Sequence, residues 1–307
     1  MDISILDIIR PITALLTGRG TFRVEKRKTI CDNNLHEVIN AWDIVMKPVE
    51  FIKDRIKAGR YTFTREEVAS ACRKDSAVLS SALAQLKREN WIFPLSRGFY
   101  LALDVQHQGK GMLDPVWFVD DWAHYHKVEY YVAGLSAAAQ HGAAHQRPMQ
   151  FQVFTDRQMR SIKHVKLHLA LLFKKEITET MWEQRKSPAG YFRLATPEMT
   201  AYDIVAYHRS CPSLDHAATV LVELGEVLSA DRLAGLIEQG CMLSVLQRVG
   251  WLLDYVGWRE KTEELHAALG ARRLSWIPLD TRLKGSGEQD RRWKILVNMD
   301  IQPDIER

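Results

Sequence analysis

Tyr61-Thr-Phe-Thr-Arg-Glu-Glu-Val-Ala-Ser-Ala-Cys-Arg-Lys-Asp-Ser-Ala-Val-Leu-Ser-Ser-Ala-Leu-Ala-Gln-Leu-Lys-Arg-Glu-Asn-Trp-Ile-Phe-Pro-Leu-Ser-Arg-Gly-Phe-Tyr-Leu-Ala-Leu103 is the stretch on which the fold turns. Thr64 with Glu67 three residues later is a capping box, so a helix is predicted over about 65–73, burying Val68, Ala69 and Cys72. Asp75 restarts the chain as an N-cap for a second helix, about 76–89, whose inner face is read as Val78, Leu79, Leu83 and Leu86. Its outer face then carries Ser76, Ser80, Ser81, Gln85, Lys87 and Arg88. Trp91-Ile92-Phe93 and Phe99-Tyr100-Leu101 read as two short strands joined through Pro94 to Gly98, with Ser96 and Arg97 at the tip. Two helices followed by a tight β-hairpin outline a winged helix-turn-helix, an element suited to reading DNA. Short hydroxyls and an amide on the second helix allow close approach to base edges and phosphates, and an arginine at the tip of a wing can touch the DNA backbone. Arg73 and Lys74 add phosphate contacts in this reading. Such units also serve as protein-interaction modules, and a serine-rich helix face can be simple solvation.

Charge favours the DNA reading. Residues 41–110 hold 12 Lys/Arg against 8 Asp/Glu, residues 1–40 hold 6 against 5, and residues 111–307 hold 24 against 25. The formal charge of the whole chain is +4, so the positive surplus sits in the segment expected to meet phosphates.

The 307 residues suggest about two domains, and 46% hydrophobic with 26% charged residues is enough for a sizeable core. No apolar run approaches the roughly 18 residues that cross a bilayer, and the first ten residues lack the basic n-region of a signal peptide. Cys31, Cys72, Cys211 and Cys241 are scattered with no CxxC pair, which reads as reduced thiols in a cytoplasmic protein.

Around the winged unit (residues 41–104), an N-terminal extension over 1–40 pairs an amphipathic run with a basic cluster, Lys26-Arg27-Lys28; it is a DNA-contacting arm, a dimer contact or a packed extension. Residues 35–58 look helical, the second part being the first helix of the winged unit. Residues 105–114, with Gln-His-Gln-Gly-Lys-Gly, read as a linker, and a larger α+β domain fills 115–307. Within it helices are predicted at about 115–126, 131–141, 198–208, 213–227, 230–239, 242–256 and 259–269. Strands are predicted at about 150–154, 165–173, 276–279 and 293–298, with a polar loop over 284–290. The fold class is therefore α+β, mainly helical.

No catalytic constellation emerges. His124 and His126, His141 and His145, and His164 and His168 lack flanking carboxylates or cysteines in a metal-site spacing. Asp120-Asp121 are neighbours that cannot face one another on a helix. Neither Gly18-Arg-Gly20 nor Gly285-Ser-Gly287 has the context of a phosphate loop, and there is no GxSxG. A non-enzyme without metal or cofactor is the expectation.

Several stretches together resemble the AbiEi antitoxins of the AbiE abortive-infection toxin–antitoxin systems of bacteria. They are Leu95-Ser-Arg-Gly-Phe-Tyr-Leu101, Tyr131-Val-Ala-Gly-Leu-Ser-Ala-Ala-Ala-Gln-His-Gly142, Gln150-Phe-Gln-Val-Phe-Thr155, Tyr191-Phe-Arg-Leu-Ala-Thr-Pro-Glu-Met-Thr-Ala-Tyr-Asp203, Gln247-Arg-Val-Gly-Trp-Leu-Leu-Asp-Tyr-Val-Gly257 and Arg292-Trp-Lys-Ile-Leu-Val-Asn298, in an order that spans about residues 45–300. The resemblance implies a winged helix that binds inverted repeats in its own promoter, two copies to an operator, and represses the operon. It implies a C-terminal domain that counteracts a nucleotidyltransferase-like toxin without a stable complex, using a basic face for which Arg157, Arg160, Lys163, Lys166, Lys174 and Lys175 are the candidates. The rival readings are a protein-interaction module, a lone regulator without a toxin, and an enzyme acting on nucleic acid.

Overall fold

The computed structural model describes residues 46–304 apart from 74, 111, 144–147, 166, 208–212 and 284–286. The N-terminal extension, the first part of the helical 35–58 run, Lys74 and Lys166 lie outside the described residues.

The first elements make a small helix–sheet head: α1 (Pro48–Lys57), β1 (Thr62–Thr64), α2 (Arg65–Cys72), α3 (Ser76–Arg88), β2 (Ile92–Ser96) and β3 (Phe99–Ala102). Its sheet runs β1-β3-β2, antiparallel throughout, with Phe63 opposite Tyr100 and Phe93 opposite Leu101. The Thr64 capping box forms as the spacing requires: Thr64 Oγ1 accepts from the Glu67 amide at 3.2 Å, and Glu67 Oε2 accepts from the Thr64 amide at 2.7 Å. Asp75 stands at the N-cap of α3 with an extended backbone, but its carboxylate makes no capping bond. Arg55 ties α1 to this start, donating to the Thr62 carbonyl at 2.7 Å and to Glu67 at 2.9 Å. Leu79, Leu83 and Leu86 are buried against Ile52, Phe63, Val68, Cys72, Ile92 and Ala102. Val78 departs from expectation: it is 51% exposed. The 79–83–86 row defines the buried stripe, and position 78 is turned about 100° from Leu79.

The head's sheet is buried on both faces. Tyr100 and Ala102 face the helices of the head, whereas Leu95, Phe99, Leu101 and Leu103 belong to the main core with Leu113, Phe118, Val119 and Trp122. Residues 105–114, expected to be a linker, begin with a short helix, α4 (Val105–Lys110), and Tyr61 meets the ring of Trp117 at 4.9 Å. Asp114 caps a 3-10 turn over Pro115–Trp117, which leads into α5 (Val119–His126).

The larger part is built on a six-stranded sheet in the order β6-β7-β5-β4-β9-β8. Its strands are β4 (Tyr130–Val132), β5 (Phe151–Thr155), β6 (Ile162–His164), β7 (Leu167–Phe173), β8 (Trp182–Ser187) and β9 (Gly190–Ala195). The β5–β7 and β4–β9 pairs are parallel, the others antiparallel. The helix expected over 131–141 begins late: Tyr130-Tyr-Val132, a run of β-formers, is the fully buried β4, and Gly134 at φ +54° turns the chain into α6 (Gly134–Gln140).

Five helices follow, α7 (Pro197–Ala206), α8 (Leu214–Leu224), α9 (Ala230–Gly235), α10 (Leu243–Tyr255) and α11 (Arg259–Gly270); α7 packs on β9, α8, α9 and α10 pack on α7, and α11 packs on α9 and α10. The expected start at Thr196 holds, with its hydroxyl accepting from the Met199 amide at 3.2 Å. A small third sheet, β10 (Ile277–Pro278), β12 (Ile295–Val297) and β11 (Glu288–Asp290), closes the chain; β11 falls inside the run expected to be a polar loop. Buried polar residues of α10 serve this sheet: Gln247 donates to the Trp293 carbonyl at 2.7 Å, and Arg248 donates to the carbonyls of Pro278 and Leu279. Side chains of α10 thereby bond backbone carbonyls inside the protein.

Candidate nucleic-acid interface

Residues picked for DNA contact on α3 lie on its outer side: Ser76, Ser80, Ser81, Gln85, Lys87 and Arg88 are all exposed. Several already have partners. Ser80 donates to the Ser76 carbonyl at 2.7 Å, Ser81 to the Ala77 carbonyl at 3.3 Å, and the Gln85 amide to Glu89 at 2.8 Å. Hydroxyls bonded to their own helix rotate readily toward an incoming acceptor. Lys87 and Arg88 stand in the last turn. Arg73 ends α2 in the left-handed region at φ +45° and is exposed.

Sequence reasoning missed Arg65. The first residue of α2, it reaches across to α3, where its guanidinium lies 2.8 Å from Ser80 Oγ, 3.2 Å from Ser76 Oγ and 3.0 Å from the Ser76 carbonyl. It thus places a guanidinium over the first turns of α3, and among the described residues no carboxylate stands against it. The signal was its position directly after the Thr64 cap, which fixes where α2 begins but not where the side chain lands. Val78 adds an exposed branched apolar group to the same helix, the kind of group that packs on a thymine methyl.

The β2–β3 turn is not a free tip. Ser96 is half-buried, with its Oγ 2.9 Å from His126 Nε2, and Tyr125 donates its hydroxyl to the Arg97 carbonyl at 3.1 Å. Gly98, at φ +79°, leaves the space that the Tyr125 hydroxyl occupies: a Cβ there would lie 2.7 Å from it. The ring of Phe99 packs on Tyr125, and Phe93 meets His164 of β6 edge-on at 4.8 Å. Thr62 also donates to Asp121 of α5. Of the two tip residues, Arg97 is exposed and Ser96 is occupied.

Burial holds the His126 imidazole below its usual pKa of 6.5, which favours its neutral form beside Ser96. The unfolded chain then binds more protons than the folded one, and stability rises with pH across the interval between the lowered value and about 6.5. Folding stability is therefore expected to decline on acidification through that interval. His141, lowered by burial in the same sense, adds its own share. Denaturant unfolding at stepped pH checks this: His126→Gln should show a shallower decline than the wild-type chain, and an unchanged decline would remove His126 as a contributor.

Of the residues proposed for a basic face, Lys166 lies outside the described residues and the other five differ in exposure. Arg157, Arg160, Lys163 and Lys175 are exposed, the first two between β5 and the edge strand β6 and Lys163 on β6 itself. Lys174 is withdrawn, its side chain only 13% exposed. Its Nζ donates to Tyr131 at 2.6 Å and to Asp203 at 3.1 Å, and Tyr131 donates to the second Asp203 oxygen at 2.8 Å. The rings of Tyr131, Phe154 and Tyr202 surround the ammonium at 5.1–5.7 Å. The spacing of basic residues signalled charge but not that this lysine points inward. Burial raises Asp203, against the pull of Lys174 and Tyr131, and pushes the Cys241 thiol up to about 11 and the Tyr202 phenol up to about 12. Fully bonded and enclosed, this cluster pins the end of β7 and β4 to α7 and is a structural ion pair.

Among the described residues no group of three His, Cys, Asp or Glu could hold a metal ion, and no helix is long and apolar enough to cross a membrane. The molecule is a mixed α+β protein whose small head packs its own three-stranded sheet against a larger domain built on a six-stranded sheet, and the exposed outer side of the head's α3 carries hydroxyls and cations.

Residues 131–255 match the AbiEi antitoxin C-terminal domain. An AbiEi antitoxin domain supports an antitoxin role in a toxin–antitoxin system, a regulatory kind of protein. No curated protein matches this chain. A solved structure similar in fold is that of the RV2827C protein from Mycobacterium tuberculosis, with a TM-score of 0.61 and 18% identity over 80% of this chain and 89% of that one.

Proposed function

We propose that residues 48–102 are a winged helix-turn-helix that binds double-stranded DNA, with α3 in the major groove and the β2–β3 turn as the wing. The observation that carries this reading is the outer face of α3, where small hydroxyl side chains, an apolar Val78 and the Arg65 guanidinium surround the first turns while the leucines face inward. Small side chains permit close approach to base edges, and cations supply the phosphate contacts. As the DNA-binding part of an antitoxin, it represses its own operon through inverted repeats in the promoter. The C-terminal domain opposes a nucleotidyltransferase-like toxin, and the exposed Arg157, Arg160, Lys163 and Lys175 remain the candidates for that task.

The test is a mobility shift with the chain's own promoter. Replacing Lys87, Arg88 and Arg97 together by alanine should abolish the shift while the circular dichroism and melting of the protein stay as in the wild type. Arg65→Ala should weaken binding on its own. A wild-type-like shift from the triple variant would overturn the assignment of this face.

A further inference from the structure

We infer that the C-terminal turn of α5, with Lys127, is a third DNA-contacting element, so that the wing is completed by the C-terminal domain. The inference rests on the winged-helix reading above and extends it to residues outside the head.

A line of contacts running along one surface is the reason. The Arg65 guanidinium lies on Ser76 and Ser80 at the start of α3, and the Arg65 amide donates to the Gly98 carbonyl at 2.9 Å. The start of α3 and the wing turn are therefore neighbours through a single residue. The wing turn meets the end of α5: Tyr125 donates to the Arg97 carbonyl, and His126 bonds Ser96. Lys127 follows directly, exposed, ending α5 in the left-handed region at φ +53°. Arg65, Arg97 and Lys127 thus hang from backbone that converges on the wing turn.

These three cations have no carboxylate against them among the described residues. The acids of the same region are engaged elsewhere: Asp120 accepts from Tyr130 at 2.9 Å, Asp121 accepts from Thr62, and Glu129 pairs with Arg193. His124, at the solvent side of α5, stands 3.9 Å from Asp120. Of the exposed acids near the row in sequence, Asp121 and Glu129 are the two engaged by Thr62 and Arg193, and Glu66 adjoins the α3 end; the wing end carries Arg97 and Lys127. An unneutralised cation beside a wing is attracted to a phosphate backbone, and each such contact releases counterions on binding.

The left-handed backbone at position 127 dictates the substitution. Asparagine tolerates that conformation better than other residues bearing a Cβ, so Lys127→Asn removes the charge with little strain. In full-length protein, binding to a promoter duplex is measured across a salt series from about 50 to 200 mM. Each phosphate contact contributes about 0.9 to the slope of log K against log salt. Lys127→Asn should lower that slope by about one and weaken promoter and scrambled duplexes alike. Lys127→Glu should weaken both further. Unchanged melting of both variants separates the effect from folding. If the wild type binds with a salt slope and the Lys87/Arg88/Arg97 variant loses binding while Lys127→Asn keeps the wild-type slope, the winged-helix reading stands and this inference falls. If the wild type binds no duplex, both fall.

Discussion

Replacing Lys174 by methionine is expected to cost about 3–5 kcal/mol of folding stability, the range for leaving one member of a buried ion pair without its partner. Asp203 has no exposed side-chain surface and would keep only the Tyr131 hydroxyl. Methionine matches the length of the lysine stem and can sit among Tyr131, Phe154 and Tyr202, so packing is largely retained and the loss is electrostatic. A second substitution in the same background distinguishes this from simple misfit. Asp203→Leu added to Lys174→Met should recover most of the stability, because two apolar groups replace a charge pair that was costly to bury. Urea unfolding of the wild type, the single and the double variant makes the comparison. A double variant no more stable than Lys174→Met would show that the carboxylate is not what the lysine serves.

The second large effect is expected at Gly250. This glycine lies buried in α10, and the ring of Trp293 occupies the space where a side chain would begin, close enough that any Cβ would overlap it. Trp293 is 1% exposed and donates its indole N–H to Asp254 at 2.8 Å. Gly250→Ala forces a shift of well-packed groups and should cost about 1–3 kcal/mol. Gly250→Leu displaces the indole, and the loss should approach the roughly 3–5 kcal/mol of removing a buried tryptophan. Near-ultraviolet circular dichroism should change together with the urea midpoint. A leucine variant with the wild-type midpoint would refute the close approach of helix and ring.

How much of this could be read beforehand depends on the kind of signal. Thr64 with Glu67 and Thr196 with Pro197 are local chemistry, and both helices start where those residues stand. Leu79, Leu83 and Leu86 are periodic and buried as expected, whereas Val78 differs because a run of two apolar residues does not say which one faces in. β8 was invisible because it is an edge strand whose Glu183 to Lys186 stretch is polar throughout, a composition that guards an open edge and erases alternation. The serine-bearing outer face of α3 was legible from the helical period, and the charge surplus from composition. What could not be read were tertiary facts: Arg65 folding over α3, Ser96 taken by His126, and Lys174 turned inward to Asp203.

The sheet β1-β3-β2 is a party wall, with one core on each side of it. Leu95, Phe99, Leu101 and Leu103 would stand in water if the head were cut away, so this head is not a portable cassette. A graft of residues 46–104 onto another body would carry an uncovered apolar face and a wing turn stripped of Tyr125 and His126. Side chains on the outer face of α3 can therefore be exchanged with the joint behind it left intact.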